Sequence, residues 1–352
     1  MLDLENENEG LHNEIDFELP DSLDRRLVFD IVTVNSPLNG LSDLETDLTN
    51  AIATGDRDII LPAFARALED AKRFEENVVD AERILWKGAL EVTNELVDDV
   101  VAIIGNGLSW ESVGGINART LLHEAAISGS ITFAQHCVAH GLDVGRRDAY
   151  DRTPLHYATI FGHASLVSYL LSVESDPSAV DMDGYTPLVH SIVNGQIDCV
   201  KILLQGSASP AIIEPTAVSN DLIPVSLACQ HGHEEVARLL LRKGAKVLPN
   251  SEGLYPQHLA AREGHAEICQ MLVEEGGPAG GGKDRADKYN QWTPLFHAAT
   301  GDAASHVECV KVLVEAGCDV NVTDEYGKTP LFYAAYYGVS PASSFPRERA
   351  AY

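Results

Sequence analysis

The stretch "RTPLHYATIFGHASLVSYLL", residues 152 to 171, decides the fold because every position in it has a mechanical reason. Thr153 is suited to cap a helix, and Pro154 occupies the first helical position, where a missing N–H costs nothing. Small residues follow, allowing close approach of neighbouring helices. Gly162 permits the left-handed turn that ends the first helix. A second helix opens at His163, with Leu166, Val167, Leu170 and Leu171 spaced along one face.

The pattern recurs. "RTLLHEAAISGS", "YTPLVHSIVNGQ", "LIPVSLACQHGH", "LYPQHLAAREGH", "WTPLFHAATGDAASH" and "KTPLFYAAYYG" align with it, with second residues Thr120, Thr186, Ile223, Tyr255, Thr293 and Thr329. A period near 33 residues with a T-P-L-H-x-A core resembles the ankyrin repeat. The expected fold is therefore all-α: a right-handed solenoid of stacked helix-turn-helix units joined by extended β-hairpin fingers. Six full repeats and a partial seventh are expected over residues 117–338. The extra length falls in the connections "SPAIIEPTAVSN" and "GGPAGGGKDRADKYN", where insertions are tolerated. In the sixth repeat the turn between helices is longer: His306 follows Thr293 by 13 positions, where His163 follows Thr153 by 10.

Short His and Cys spacings, such as His258, His265 and Cys269, raise the question of a metal site or a thiol nucleophile. Alignment to the repeat assigns them to packing. Cys199 and Cys309 take the place of Leu166, Cys269 that of Val167 and Cys137 that of Leu170. Cys229 lies among the small residues of a first helix, and Cys318 takes the Ala position of "GA". His123, His156 and His258 hold the fourth place of T-P-L-H, where imidazole can bridge adjacent repeats. His163, His233, His265 and His306 open second helices. No phosphate loop, G-x-S-x-G elbow or H-E-x-x-H helix occurs. The expectation is a chain that is not an enzyme, with no cofactor, no metal and no small-molecule substrate.

A formal net charge of −28 over 352 residues disfavours nucleic acid and anionic membrane surfaces. No apolar run is long enough to span a bilayer. Six cysteines, none spaced as CxxC, do not make a disulfide framework, so a cytoplasmic or nuclear location is expected. Residues 1–24 carry nine acids and no Lys or Arg, and read as an acidic disordered tail.

Residues 25–116 read as a helical N-terminal region. "DLTNAIATGDRDIILPAFARALED" has the cadence of a degenerate repeat, with Gly55 in the mid-turn place and Ile59, Ile60, Phe64 and Leu68 as its stripe. Two readings stand for this region: a cap shielding the first regular repeat, or an independent small helical element. Residues 339–352 lack an apolar stripe and carry Pro341 and Pro346. They read as an irregular tail, either the truncated, alternatively spliced or mis-predicted end of a longer protein or a short cap.

At "LPNSEGLYPQHLAAREGHAEIC", "DKYNQWTPLFHAA" and "HVECVKVLVEAGCDVNVTDEYGKTPLFYAAYYG" the chain resembles the fungal phosphate-starvation regulators, cyclin-dependent kinase inhibitors built as SPX domain, ankyrin repeats and a glycerophosphodiesterase-like domain. "INARTLLHEAAISG" and "DMDGYTPLVHSIVNG" share the resemblance. It implies engagement of a cyclin–kinase pair in phosphate signalling. The N-terminus lacks the lysine-rich helices of an SPX domain, and no His-Arg dipeptide of the phosphodiesterase type occurs. Those flanking functions are expected to be absent here or to belong to a longer product.

Repeat stacks bind through finger tips and first helices, and aromatic and Arg side chains make anchors. The candidate partner-binding residues are Tyr150, Tyr185, Arg262, Tyr289, Trp292 and Tyr326. For Trp292 and the finger tyrosines, packing between successive fingers is the competing role; for Arg262 it is a solvated helix face. The alternatives to the kinase regulator are a generic ankyrin scaffold or adaptor with another partner, and a fragment of a longer phosphodiesterase-domain protein.

Overall fold

The structure, a computed structural model, describes residues 41–72, 78–111, 117–206, 222–275, 283–301 and 304–337. The acidic tail of residues 1–24, the irregular C-terminal tail, the glycine-rich stretch at 276–282 and the "SPAIIEPTAVSN" connection lie outside the described residues.

From Leu121 the helices come in pairs: α5 (Leu121–Ser128) with α6 (Ile131–Ala139), α7 (Pro154–Ile160) with α8 (Ala164–Ser172), and α9 (Pro187–Val193) with α10 (Ile197–Gly206). Then follow α11 (Pro224–Gln230) with α12 (Glu234–Arg242), α13 (Pro256–Glu263) with α14 (Ala266–Glu275), and α15 (Pro294–Thr300) with α16 (Ala304–Glu315). The last described helix, α17 (Pro330–Tyr336), is the first helix of a seventh unit. Each first helix packs on the next first helix, and each second helix on the next second helix. This is serial stacking, as the period requires.

Local chemistry sets each boundary. Proline stands at the start of α7, α9, α11, α13, α15 and α17. In α5 and α7 the capping threonine and the histidine three positions on satisfy each other's backbone N–H groups, with His in the role usually taken by Glu. The first helices of the inner repeats are the more deeply buried: every residue of α7 is buried, while α13 leaves Arg262 and Glu263 exposed and α17 buries only Pro330 and Ala334. Second helices bury one stripe, Leu166, Val167 and Leu170 in α8, with Leu171 half-buried at its edge.

The glycine between the helices of a pair has two reasons to be glycine. Gly195 has φ +66°, and a Cβ there would meet the His233 ring of the next repeat at 2.6 Å. Both the left-handed backbone and the close approach exclude a side chain.

Upstream, α1 (Leu41–Ala53), α2 (Arg57–Ala71), α3 (Val78–Glu91) and α4 (Asn94–Ile104) form two further pairs. α1 packs on α3 and α2 on α4, while α3 packs on α5 and α4 on α6. Trp86 of α3 is buried edge-on to Phe133 of α6, with ring centroids 5.7 Å apart, so the apolar core runs across this junction. The stripe on α2 needs one correction. Ile60, Phe64 and Leu68 are buried with Ala67 and Ala71, but Ile59 is 45% exposed. One residue turns a helix by about 100°, which carries Ile59 off the inward line of Ile60, Phe64, Ala67 and Ala71 and out to solvent.

The fingers need another. Among the described residues no strand forms, and only an isolated bridge appears, at Arg119. The physical reason lies in how each tip is closed.

Candidate protein-binding surface

Among the described residues, five fingers each turn on one acidic or amide side chain. Asp148 Oδ1 accepts the backbone N–H groups of Tyr150 and Arg152, each at 2.9 Å. Asp181 does the same for Asp183 at 3.0 Å and Tyr185 at 2.9 Å. Asn250 holds Glu252 and Leu254, Asp287 holds Asn290 and Trp292, and Asp324 holds Tyr326 and Lys328. A side chain thus takes the N–H groups that a strand ladder would use, and the finger becomes a stack of turns. Backbone bonds between neighbouring tips, Ala149 N–H to Asn117 O and Met182 N–H to Tyr150 O, keep the row in register.

The second carboxylate oxygen ties the tip to its own first helix. Asp148 Oδ2 accepts the Tyr157 hydroxyl at 2.6 Å, and Asp324 Oδ2 accepts that of Tyr333 at 2.6 Å. Asp181 Oδ2 receives His190 Nε2 at 2.9 Å and Arg152 Nε, from the preceding finger, at 3.1 Å. His297 Nε2 lies 3.3 Å from Asp287. Burial would raise the Asp181 carboxyl, but the hydrogen bonds from His190, the Tyr185 backbone and Arg152 outweigh it and hold the group well below the usual carboxylate range. Sequence reasoning missed these locks. Their signal is an Asp nine or ten positions before a Tyr or His: 148/157, 181/190, 287/297 and 324/333.

The histidines join one repeat to the next in both directions. Nδ1 of His123, His156 and His258 accepts the N–H of the capping residue at 3.0 Å. Their Nε2 atoms reach forward to the carbonyls of Arg152, Tyr185 and Arg285, at 3.0, 3.2 and 2.8 Å. His163, His233, His265 and His306 reach backward from the second helices to the carbonyls of Ile127, Val193, Gln230 and Arg262, at 2.8 to 3.0 Å. Burial lowers His123 and His258 to about 4 and His156 to about 3, so the forward-reaching rings are neutral, with the proton on Nε2.

His258, His265 and Cys269 therefore point to different partners. All six cysteines are buried and unbridged. Burial pushes Cys199 up to about 11 and Cys318 to about 12, and raises Cys137 and Cys229 further. Cys269 is raised by its hydrogen bond with Cys309 and by burial. Each thiol sits among buried side chains, where cysteine packs as a small hydrophobe. Among the described residues no group of three or more His, Cys, Asp or Glu side chains is placed to hold a metal ion.

The candidate anchors divide by environment. Tyr289 and Tyr326 stand 59% and 70% exposed at their finger tips, joined by Met182 on another finger. Tyr150 is half-buried beneath the Arg152 guanidinium, and Tyr185 packs against His190 with centroids 5.2 Å apart. Trp292 is half-buried among Phe296, His297 and Tyr333, with the Tyr333 ring at 5.0 Å. Arg262 is exposed on α13 and lies 3.1 Å from Glu263 and 3.8 Å from Glu252. Of the exposed candidates Tyr289 and Tyr326 are on the fingers and Arg262 on a first helix, while Trp292 and Tyr185 pack within the stack.

Paired helices, glycine mid-turns and turn-closed fingers in series define an ankyrin stack. The family of ankyrin repeats (three copies) matches residues 88–181, 122–214, 211–280 and 279–342, and the chain belongs to that family. It is 40% identical over 252 residues to the ankyrin repeat protein nuc-2 of Neurospora crassa, covering 72% of this chain but 22% of that one; the chain thus spans about a fifth of the length of this relative. Among solved structures it is similar to the human ASB11 ankyrin repeat domain, with TM-score 0.53 and 24% identity over 64% of this chain and 96% of that one. It is also similar to the ankyrin repeat domain of Bcl-3, with TM-score 0.52 and 24% identity over 62% and 95%. At that identity the two structures speak for the fold alone. Among the described residues no helix is long and apolar enough to cross a membrane.

Proposed function

We propose that this chain is a non-catalytic protein-binding stack that regulates a cyclin–cyclin-dependent kinase pair in phosphate-starvation signalling. The observation that carries the reading is its 40% identity over 252 residues to nuc-2 of Neurospora crassa, together with the resemblance of its repeat sequences to the fungal phosphate regulators. The exposed finger tyrosines supply the means. Rigid, amphipathic rings at Tyr289 and Tyr326 offer contact area at low entropic cost, and the Asp locks hold their backbone in place before binding. In this reading Tyr150 and Arg262 extend the contact surface, and Trp292 and Tyr185 shape it from within the stack. The pairs α1–α2 and α3–α4 serve as the N-terminal cap that shields the first regular repeat.

The test is capture of a purified fungal cyclin–kinase pair by the recombinant chain, followed by a kinase assay at rising chain concentration. Retention of both subunits with loss of phosphorylation supports the reading. Retention without inhibition would assign the chain an adaptor role, and no retention would make it a scaffold for a different protein.

A further inference from the structure

We infer that the groove between α1 and α2 docks a basic amphipathic helix of a partner protein, a second surface separate from the fingers. The groove encloses about 560 Å³. Its floor includes Leu44 and Leu48 of α1 and the small Ala63 and Ala67 of α2, with Ile59 at its mouth. Ile59 is the residue that the stripe of α2 fails to bury, and it is one of the larger apolar side chains left exposed. Depth comes from the alanines and apolar character from the leucines and Ile59.

The rim is acidic. Asp43, Asp47 and Asp70 line it against a single cation, Arg66. Residues 41–72 carry seven acids and three bases. The other two bases are engaged away from the groove, Arg57 with Asp99 and Lys72 with Glu69, each at 3.0 Å. Asp43 and Asp47 stand four apart on one face of α1, a spacing at which like charges repel. Among the described residues no ion pair engages either of them. An incoming Lys or Arg would relieve that repulsion, and a polyanion would increase it.

A helix fits better than a strand. The walls are helices whose backbone bonds are made internally, so no sheet edge is available for an added strand. A helical guest brings its own backbone bonds and inserts an apolar stripe into the groove. Its polar face, if basic, meets the rim.

The probe is a fluorescent amphipathic Leu/Lys peptide of several helical turns, titrated by anisotropy against the full chain. Comparison peptides replace Lys with Glu or scramble the periodicity. The Leu/Lys helix should bind, with the other two at least about tenfold weaker. Asp43→Lys with Asp47→Lys, and separately Ala63→Trp, should each weaken binding by about tenfold or more with circular dichroism unchanged. Glu267→Lys with Glu308→Lys, on α14 and α16, should change it less than about twofold. Where Ala63→Trp does not fold, the exposed aspartates decide the matter. Equal weakening by the distant reversals would reduce the effect to bulk charge and overturn the proposal. So would equal binding of the scrambled peptide, or self-association abolished by Asp43→Lys, which would assign the groove to a second copy.

Discussion

The Arg152 guanidinium lies 3.1 Å from the Asp181 carboxylate of the next finger, and both side chains are almost completely buried. The bond crosses from one repeat to its neighbour, and His190 shares the same carboxylate oxygen. Removing the carboxylate leaves Arg152 and His190 facing a low-dielectric interior without it. Asp181→Ala should therefore cost about 3–5 kcal/mol, measured by urea denaturation. Glu235→Ala, at an exposed position of α12 with an ordinary helical backbone, should cost less than about 0.5 kcal/mol. Equal effects would mean that the buried pair is not a structural joint.

Acid should loosen the joints between repeats. His123, His156 and His258 are held neutral, well below the usual imidazole value near 6.5, by burial. In the unfolded chain these rings take up protons as pH falls through about 6.5, while in the folded chain they do not until about pH 4 or 3. The unfolded state thus binds more protons in that window, so stability is fully present above about pH 6.5 and declines toward pH 4. The depressed Asp181, Asp287 and Asp324 carboxyls add a loss in the same direction at lower pH. Melting temperature against pH checks this. A flat profile between pH 7 and 4.5 would contradict it, as would imidazole resonances of these three rings titrating near 6.5.

The mid-turn glycines should resist even alanine. Gly232 has φ +79°, and a Cβ there would come within 2.8 Å of the His265 ring. Gly232→Ala combines a left-handed backbone penalty with displacement of a ring that bonds back to Gln230. A loss of more than about 1 kcal/mol is expected. Gly141→Ala has the same backbone sign with open space around it, and should lose only the backbone part. The difference between the two isolates the contact with the next repeat.

Fold and binding should separate at the aromatics. Trp292→Ala removes a ring packed on Phe296 and Tyr333 and should cost roughly 2–4 kcal/mol of stability, somewhat less than for a fully buried ring. Tyr326→Ala and Tyr289→Ala should leave stability within about 0.5 kcal/mol, and weaken partner capture by about 2 kcal/mol each if they anchor it. Thermal melts and quantitative capture on the same variants test both halves.

The repeat was legible because its positions carry backbone demands that few residues meet: Pro154 at a helix start, Gly162 at a left-handed turn, and Leu166 and Leu170 on one face. The places of the histidines and cysteines followed from alignment: Cys199 stands where Leu166 does and, like it, is buried. Ile59 was misplaced because a degenerate unit with adjacent isoleucines does not reveal which one faces inward. The fingers were expected as hairpins because the text "DVNVTDEYGK" does not show that Asp324 will take the N–H groups of Tyr326 and Lys328. The Asp–Tyr and Asp–His locks join residues nine or ten apart across a turn, outside any helical or strand period, so no amphipathic pattern advertises them. Packing between fingers was one of the two roles open for Trp292; that the ring it meets is Tyr333 of the next first helix, at 5.0 Å, depends on a neighbouring repeat that a local reading does not place.

The central claim is that a partner lies along the turn-closed fingers. Hydrogen–deuterium exchange on the chain with and without a bound cyclin–kinase pair tests it most directly. The account predicts slowed exchange at the tips around Tyr150, Met182, Tyr289 and Tyr326, with second helices α8, α12 and α16 unchanged. Protection confined to those second helices, with the tips exchanging as in the free chain, would contradict it.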